Sequence, residues 1–105
     1  MDEELVYQVI IDPAANDRME DHFEFLAHVS ETAAERLLDE LITDITSLSH
    51  MPFRNPVYDR PYLMSGKYRY MISGGRYRIV YQIDNGIVFV DDVQDCRQDC
   101  DSALV

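Results

Sequence analysis

The chain has 105 residues, 47% of them hydrophobic, and a net charge of −11 at neutral pH. That length corresponds to one domain, and the apolar content is sufficient for a hydrophobic core. No stretch approaches the roughly 20 apolar residues of a membrane span, and the acidic residues 1–4 differ from the basic start of a secretory signal. We therefore expect a single cytoplasmic domain over residues 1–105 that does not contact a membrane.

The cysteines and histidines indicate neither a disulfide framework nor a metal site. Cys96 and Cys100 are the two cysteines of the chain, whereas small disulfide-held domains usually have more, spread along the sequence. We predict free thiols in a reducing cytosol. The three histidines are far from the cysteines and scattered, so we expect no metal and no cofactor, and we place the histidines on solvated helix faces or at helix ends. They are His22, His28 and His50.

The charge is unevenly distributed along the sequence. Residues 1–51 contain 13 acidic and 2 basic side chains, and residues 84–105 contain six acidic and one basic. Residues 52–83 contain one acidic and six basic side chains. Chance placement on an otherwise acidic, solvated protein is one interpretation. We favour a polarised molecule with one cationic surface, because six of the nine basic groups lie in less than a third of the chain.

The N-terminal half predicts a strand followed by two helices. Alternating apolar residues indicate a strand over residues 5–11. Asp12 then caps a helix over residues 13–28, and Ser30 caps a second helix whose apolar stripe covers residues 34–48. The short break between the helices predicts an antiparallel helical hairpin.

The C-terminal half predicts a connector, three strands and a tail. Residues 51–66 contain three prolines and read as an irregular connector, and long ordered loops of this kind are often functional. The last two strands are joined by Asn85-Gly86, a strong hairpin signal. Residues 94–105 are expected to form a flexible acidic tail. The three strands are predicted over residues 67–72, 76–83 and 87–93.

These elements define an α+β fold of order β-α-α-β-β-β. Two amphipathic helices bury their stripes only if they pack on one face of the sheet. We therefore predict a helical hairpin on one face of a mostly antiparallel four-stranded sheet.

The alternation of side chains along the strands places the cations. In the central strand, Tyr77, Ile79 and Tyr81 are assigned to the face under the helices. Assigning the apolar residues of the preceding strand to the same face leaves Met71 and four cations on the uncovered face. The four predicted binding residues are Lys67, Arg69, Arg76 and Arg78.

Four cations on one surface require a negative partner. One interpretation is that aspartates of the last strand neutralise them within the fold, the candidates being Asp91, Asp92 and Asp95. The other is an external anion, either a phosphate backbone or carboxylates of a partner, because arginine matches both in a bidentate geometry. We favour the external anion.

Several segments, taken in this order, resemble the RelE/ParE superfamily of bacterial toxins. They are Ala33-Ala34-Glu35-Arg36-Leu37, Lys67-Tyr68-Arg69, Gly75-Arg76-Tyr77-Arg78-Ile79-Val80-Tyr81-Gln82-Ile83 and Val88-Phe89-Val90-Asp91-Asp92-Val93. The resemblance covers roughly residues 7–98. It implies a RelE-like fold and a toxin of a type II toxin–antitoxin system, related to plasmid stabilisation and growth inhibition. It also implies a cognate antitoxin that wraps the sheet and helices, in a heterotetramer or larger complex.

Two activities occur in this superfamily. RelE-like members resemble ribonucleases that cut mRNA on the ribosome, and the resemblance would then make Arg78, Arg69 and Arg97 the catalytic residues. Met71 stands where such an enzyme would have a second lysine, and neither histidine nor tyrosine follows Tyr81 as a proton donor. We therefore favour ParE-like inhibition of DNA gyrase. The alternatives are a ribonuclease with an altered site and a non-toxic homologue that acts only as an interaction domain.

The connector also contains two candidate contact residues for the antitoxin. Phe53 and Tyr58 are expected to border a hydrophobic groove there. The alternative is that these aromatic side chains cover the core beneath the loop.

Overall fold

The computed structural model describes residues 6–97, and these form the predicted order of elements. The first strand is β1, the two helices are α1 and α2, a single 3₁₀ turn follows at Pro52–Arg54, and three further strands complete the domain. The elements are β1 (Gln8–Ile11), α1 (Pro13–Ala27), α2 (Glu31–Ser47), β2 (Tyr68–Ser73), β3 (Tyr77–Asp84) and β4 (Ile87–Asp95).

The four strands form one sheet in the order β1-β4-β3-β2. β1 pairs with β4 in parallel, whereas the β4–β3 and β3–β2 pairs are antiparallel. Both helices pack on the same face of the sheet, which we call the helix face; the opposite face is the outer face. The predicted α+β fold with a mostly antiparallel sheet is confirmed.

Both helices begin at the predicted capping residues. The Asp12 side chain accepts a hydrogen bond from the Ala14 backbone N–H at 2.9 Å, and Ser30 Oγ accepts one from the Ala33 N–H at 3.1 Å. These bonds satisfy backbone donors that the first helical turn leaves without a partner. Three residues separate α1 from α2, so the helices return antiparallel, as predicted.

The core lies between the helical hairpin and the central strands. Leu41 of α2 is 1% exposed, and Tyr81 of β3 is completely buried. Around them pack the other buried apolar residues of the cluster, which are Ala15, Met19, Leu37, Ile45, Leu48, Tyr77, Ile79, Val88, Val90 and Val93.

The ends of the sheet differ from the prediction. β1 begins at Gln8 rather than at residue 5, and Val6 makes only an isolated bridge to His50. β4 extends to Asp95, so Gln94 and Asp95 belong to the sheet and not to a tail. Of the predicted tail, residues 98–105 lie outside the described residues.

Within residues 6–97, no helix combines the length and the hydropathy of a membrane span.

Candidate functional site

The predicted orientation of β2 is wrong, and this changes where the cations lie. In the structure Arg69 pairs with Tyr81 and Met71 pairs with Ile79. Cross-strand partners in an antiparallel pair point to the same side, so Arg69 and Met71 lie on the helix face. Tyr68, Tyr70 and Ile72 lie on the outer face instead. Tyrosine has an apolar ring and a polar tip, so it suits either face of a sheet. The sequence pattern therefore could not fix the orientation of this strand.

Arg76 makes an internal ion pair with the closing strand. Its Nε and Nη2 donate to the two carboxylate oxygens of Asp95 at 3.1 and 2.8 Å. The Asp95 side chain is 1% exposed. Burial raises the pKa of Asp95, but the hydrogen bonds from Arg76 and from the Arg97 backbone N–H outweigh it, and the pKa falls below its ordinary value. For Arg76 the internal aspartate, and not an external anion, supplies the negative charge.

Arg78 lies on the outer face, as predicted, but it is 7% exposed. Its Nε donates to Gln94 Oε1 at 2.8 Å. Its guanidinium lies 5.1 Å from the ring centre of Tyr58 and 5.9 Å from that of Tyr70. Cation–π contacts of this kind stabilise a buried arginine where water is excluded. Arg78 therefore joins the connector to the sheet instead of projecting into solvent.

The connector is held along the free edge of β2. The Tyr58 N–H donates to the Tyr68 carbonyl at 2.7 Å, and the Tyr70 N–H donates to the Pro56 carbonyl at 3.1 Å. From the core, the buried Tyr81 hydroxyl donates to the Pro52 carbonyl at 2.6 Å. These bonds fold Tyr58 over the outer face, where it is 4% exposed. Tyr58 thus covers the sheet, whereas Phe53 remains 55% exposed.

The remaining predicted site residues have different surroundings. Arg69 donates from Nη1 to the backbone carbonyls of Phe53 and Asn55, at 3.3 and 2.6 Å. Lys67 is exposed, with its Nζ 5.4 Å from the ring centre of Tyr68. Arg97 is exposed at the end of the described chain. The prediction that Lys67, Arg69, Arg76 and Arg78 share one uncovered face is therefore wrong. Two physical reasons account for this, the orientation of β2 and the Arg76–Asp95 pair. The functional role of these four residues stays a prediction.

The outer face instead presents a small aromatic pocket, which Tyr58 lines as expected of the predicted groove, while Phe53 does not line it and its other residues were not predicted. Its volume is about 240 Å³. Burial raises the pKa of Asp91, against the opposing effect of the hydrogen bond that Gln82 donates to it at 2.7 Å. The density of tyrosines in the connector and in β2 is the signal that could have indicated this pocket. The pocket is lined by Tyr58, Tyr62, Leu63, Tyr68, Val80, Asp91, Asp92 and Gln94.

One of the three histidines was wrongly placed. His22 is 7% exposed, its Nε2–H donates to the Val93 carbonyl at 2.8 Å, and its ring centre lies 5.2 Å from that of Tyr77. It is a core residue on the inner side of α1. His28 and His50 are exposed, as predicted. Among residues 6–97, no group of three His, Cys, Asp or Glu side chains is arranged to hold a metal ion.

Two solved structures have the same architecture. One is from the chromosomal ParDE toxin–antitoxin system of P. aeruginosa, with a TM-score of 0.69 and 8% identity, over 86% of this chain and 96% of that chain. The other is from the RelBE2 toxin–antitoxin complex of Mycobacterium tuberculosis, with a TM-score of 0.56 and 22% identity, over 90% of this chain and 97% of that chain. At these identities the likeness concerns the fold alone, which this chain shares with toxins of toxin–antitoxin systems. No curated protein sequence matches the chain significantly.

A protein-family model identifies the family to which the chain belongs. Residues 9–100 match the model of the ParE toxin of type II toxin–antitoxin systems, described as parDE. The match covers most of the 105 residues. The chain belongs to the ParE toxin family.

Proposed function

We propose that this toxin acts by binding DNA gyrase in the cytoplasm, and that a cognate antitoxin neutralises it in a heterotetramer or larger complex. Membership of the ParE family and the two similar toxin–antitoxin structures support the antitoxin. The observation that favours binding over RNA cleavage is the dispersion of Arg69, Arg76 and Arg78 into separate internal contacts.

Metal-free RNA cleavage needs a base, an acid and cations around one phosphate. Arg69 faces the helix side of the sheet and bonds to backbone carbonyls, while Arg78 lies on the outer face beneath Tyr58. Arg97 lies at the end of the described chain, and its backbone N–H donates to Asp95. Arg69 and Arg78 therefore lie on opposite faces of the sheet, an arrangement that does not favour joint contact with one phosphate. The geometry therefore supports a toxin that works as a binding protein.

The proposed contact surface is the exposed part of the connector with the neighbouring outer face. Tyr62 is 73% exposed, Met64 is 70% exposed, and the exposed Lys67 follows closely in the chain. Aromatic and methionine side chains are common in protein interfaces. In this arrangement Lys67 touches the target, whereas Arg69, Arg76 and Arg78 maintain the shape of the surface.

The test is inhibition of gyrase supercoiling by the purified chain and two charge-reversal variants. Lys67→Glu is expected to weaken inhibition roughly tenfold, because a repulsive charge at an interface opposes association. Arg36→Glu, on the exposed side of α2, makes the same charge change and is expected to leave inhibition unchanged. Equal inhibition by both variants would remove the proposed surface.

A second assay addresses the alternative activity. Ribosome-bound mRNA is incubated with the chain in the presence of a chelator, and the RNA is examined for new ends. We expect no cleavage. Cleavage by the native chain that is absent in a folded Arg78→Ala variant would contradict the proposed gyrase binding and would support ribonuclease activity. Circular dichroism checks that the variant is folded.

A further inference from the structure

A β-bulge in β4 brings two adjacent carboxylates to the aromatic pocket of the outer face. Val80 pairs with Asp92, and the next residue of β3, Tyr81, pairs with Val90, so Asp91 has no partner across the β3–β4 ladder. Successive side chains of a regular strand point to opposite faces of a sheet. The extra residue of a bulge changes this direction, and both Asp91 and Asp92 line the same pocket. The bulge therefore concentrates negative charge at one place on the outer face.

The two carboxylates differ in how far the chain neutralises them. Asp92 Oδ1 lies 3.3 Å from Arg18 Nη1 in an ion pair. For Asp91, the hydrogen bond that Gln82 donates to Oδ2 at 2.7 Å is the one found among residues 6–97. Burial raises the pKa of Asp91, and the Gln82 hydrogen bond and the charge of Lys67 oppose this only in part. The ionised form of Asp91 is therefore incompletely compensated, and a further cation beside it would stabilise that form.

The tyrosine rings of the pocket already attract cations of the chain itself. The guanidinium groups of Arg60 and Arg78 lie 4.5 and 5.1 Å from the ring centre of Tyr58. Lys67 Nζ lies 5.4 Å from the ring centre of Tyr68. An aromatic face attracts a cation within about 6 Å of its centre. Tyr58 is thus engaged inside the fold, whereas the exposed Lys67 can leave the ring of Tyr68 to a ligand.

We propose that the aromatic pocket binds a small primary ammonium ion with an aliphatic chain. The ammonium group has three N–H donors and meets Asp91 and the ring of Tyr68, while the chain packs on Leu63 and Val80. The volume of about 240 Å³ equals that of about eight water molecules at roughly 30 Å³ each, which suits a ligand of roughly six to eight non-hydrogen atoms. The carboxylates repel an anion of the same size. This inference does not depend on gyrase binding.

The test follows the backbone amide resonances of the isotope-labelled intact chain by NMR during titration with pentylammonium. Pentanol and pentanoate have a similar hydrocarbon chain with a neutral and a negative end, and sodium chloride keeps the ionic strength constant. We expect pentylammonium to shift the amides of Asp91 and Asp92 with a Kd of roughly 1 mM, and both controls to bind at least about tenfold more weakly. Equal affinities of pentylammonium and pentanol would overturn the proposal.

One matched pair of variants tests the carboxylate. Asp91→Asn retains the shape of the side chain and is expected to weaken pentylammonium binding at least about tenfold. Asp84→Asn removes the same charge from the exposed end of β3, outside the pocket, and is expected to retain the native affinity within about twofold. Equal losses in the two variants would show general charge attraction and would overturn the proposal.

A second matched pair tests the competition with Lys67. Lys67→Met retains an apolar side chain and removes the cation next to Tyr68, so pentylammonium is expected to bind about threefold more tightly. Arg36→Met removes a cation from the exposed side of α2 and is expected to leave the affinity unchanged. If Lys67→Met strengthens binding no more than Arg36→Met does, the ammonium group does not lie at Tyr68 and the assignment is overturned.

Discussion

The helical hairpin and the segment from the connector to β3 carry opposite charges, and the fold treats these charges differently. Eight of the nine acidic residues of α1 and α2 are exposed, and the ninth, Asp44, is half-buried. In contrast, Arg69, Arg76 and Arg78 bond to carbonyl or carboxylate oxygens within the domain. The acidic charge of the hairpin is thus available to a partner, whereas much of the basic charge is used inside the fold.

This difference shows that charge in a sequence and charge on a surface are separate quantities. Arginine has five donors in a planar fork, so it can satisfy carbonyl groups that a loop leaves without partners. In the connector, Arg54 donates from Nη2 to Ser47 Oγ at 2.9 Å at the end of α2, and Arg60 lies 4.5 Å from the ring centre of Tyr58. Glutamate and aspartate on the outer side of a helix have no comparable internal role. The protein surface is therefore more acidic than the distribution of residues suggests.

The test with the largest expected effect concerns the Arg76–Asp95 pair. Asp95→Asn is expected to lower the free energy of unfolding by about 3 kcal/mol at pH 7, because it leaves a partly buried cation without its partner. Since the folded pKa of Asp95 is depressed, its contribution is present above the unfolded pKa near 4 and is lost as the pH falls below that value. Urea unfolding at pH 7 and near pH 2 measures both effects.

The control for this prediction is Asp39→Asn, on the exposed side of α2. It is expected to change the free energy of unfolding by less than about 0.5 kcal/mol. If both substitutions have the same small effect, the ion pair between Arg76 and Asp95 does not stabilise this end of the sheet.

A second test removes one hydroxyl that holds the connector. Tyr81→Phe deprives the Pro52 carbonyl of a donor and Asn55 Nδ2 of an acceptor, at 2.6 and 3.0 Å in the native chain. The expected loss is about 1.5 kcal/mol in urea unfolding, because buried polar groups are left without partners. Hydrogen exchange of the Tyr58 amide should accelerate. Tyr68→Phe, on the outer face, is the matched control, and an equal loss there would contradict the role of the Tyr81 hydroxyl.

In the third test, the substitution is expected to increase the stability of the fold. Burial raises the pKa of Asp91, so its ionised form destabilises the fold at neutral pH. The stability that accompanies protonation is present below the unfolded pKa and is lost as the pH rises through the folded pKa. Asp91→Asn is therefore expected to raise the free energy of unfolding by about 0.5 kcal/mol at pH 7 and to give no gain near pH 3. A loss at pH 7 would show that the carboxylate is needed by its neighbours.

The smallest expected effect concerns an exposed apolar residue of the hairpin. Ile42→Ser should change the free energy of unfolding by less than about 0.5 kcal/mol, because the side chain is half exposed. Thermal unfolding followed by circular dichroism measures this change. A large loss would contradict this expectation and would mean that Ile42 contributes to the core.

The sequence predicted the elements well because their signals are local. The cap at Ser30 acts on a backbone group three residues away, and Asn85-Gly86 closes a two-residue turn with positive φ at both positions. The stripe of α2 repeats within each turn. The resemblance to the RelE/ParE superfamily, which the ParE family match confirms, also depends on short strings and their order.

The candidate site was only partly predictable, because its contacts join distant residues. Arg76 and Asp95 are 19 residues apart in sequence, and Tyr81 and Pro52 are 29 apart. The predicted orientation of β2 was wrong because tyrosine and methionine fit either face of a sheet. The burial of His22 depends on a carbonyl of β4, 71 residues away.

The sequence by itself determined the order of strands and helices, the capping residues, the apolar stripe of α2 and the family. Only the tertiary structure decided which face Arg69 occupies, that Asp95 neutralises Arg76, and that the connector covers Arg78. The reason is physical. Helix caps and turns depend on backbone groups a few residues away, whereas strand orientation and ion pairing depend on which distant side chains the packed core brings together.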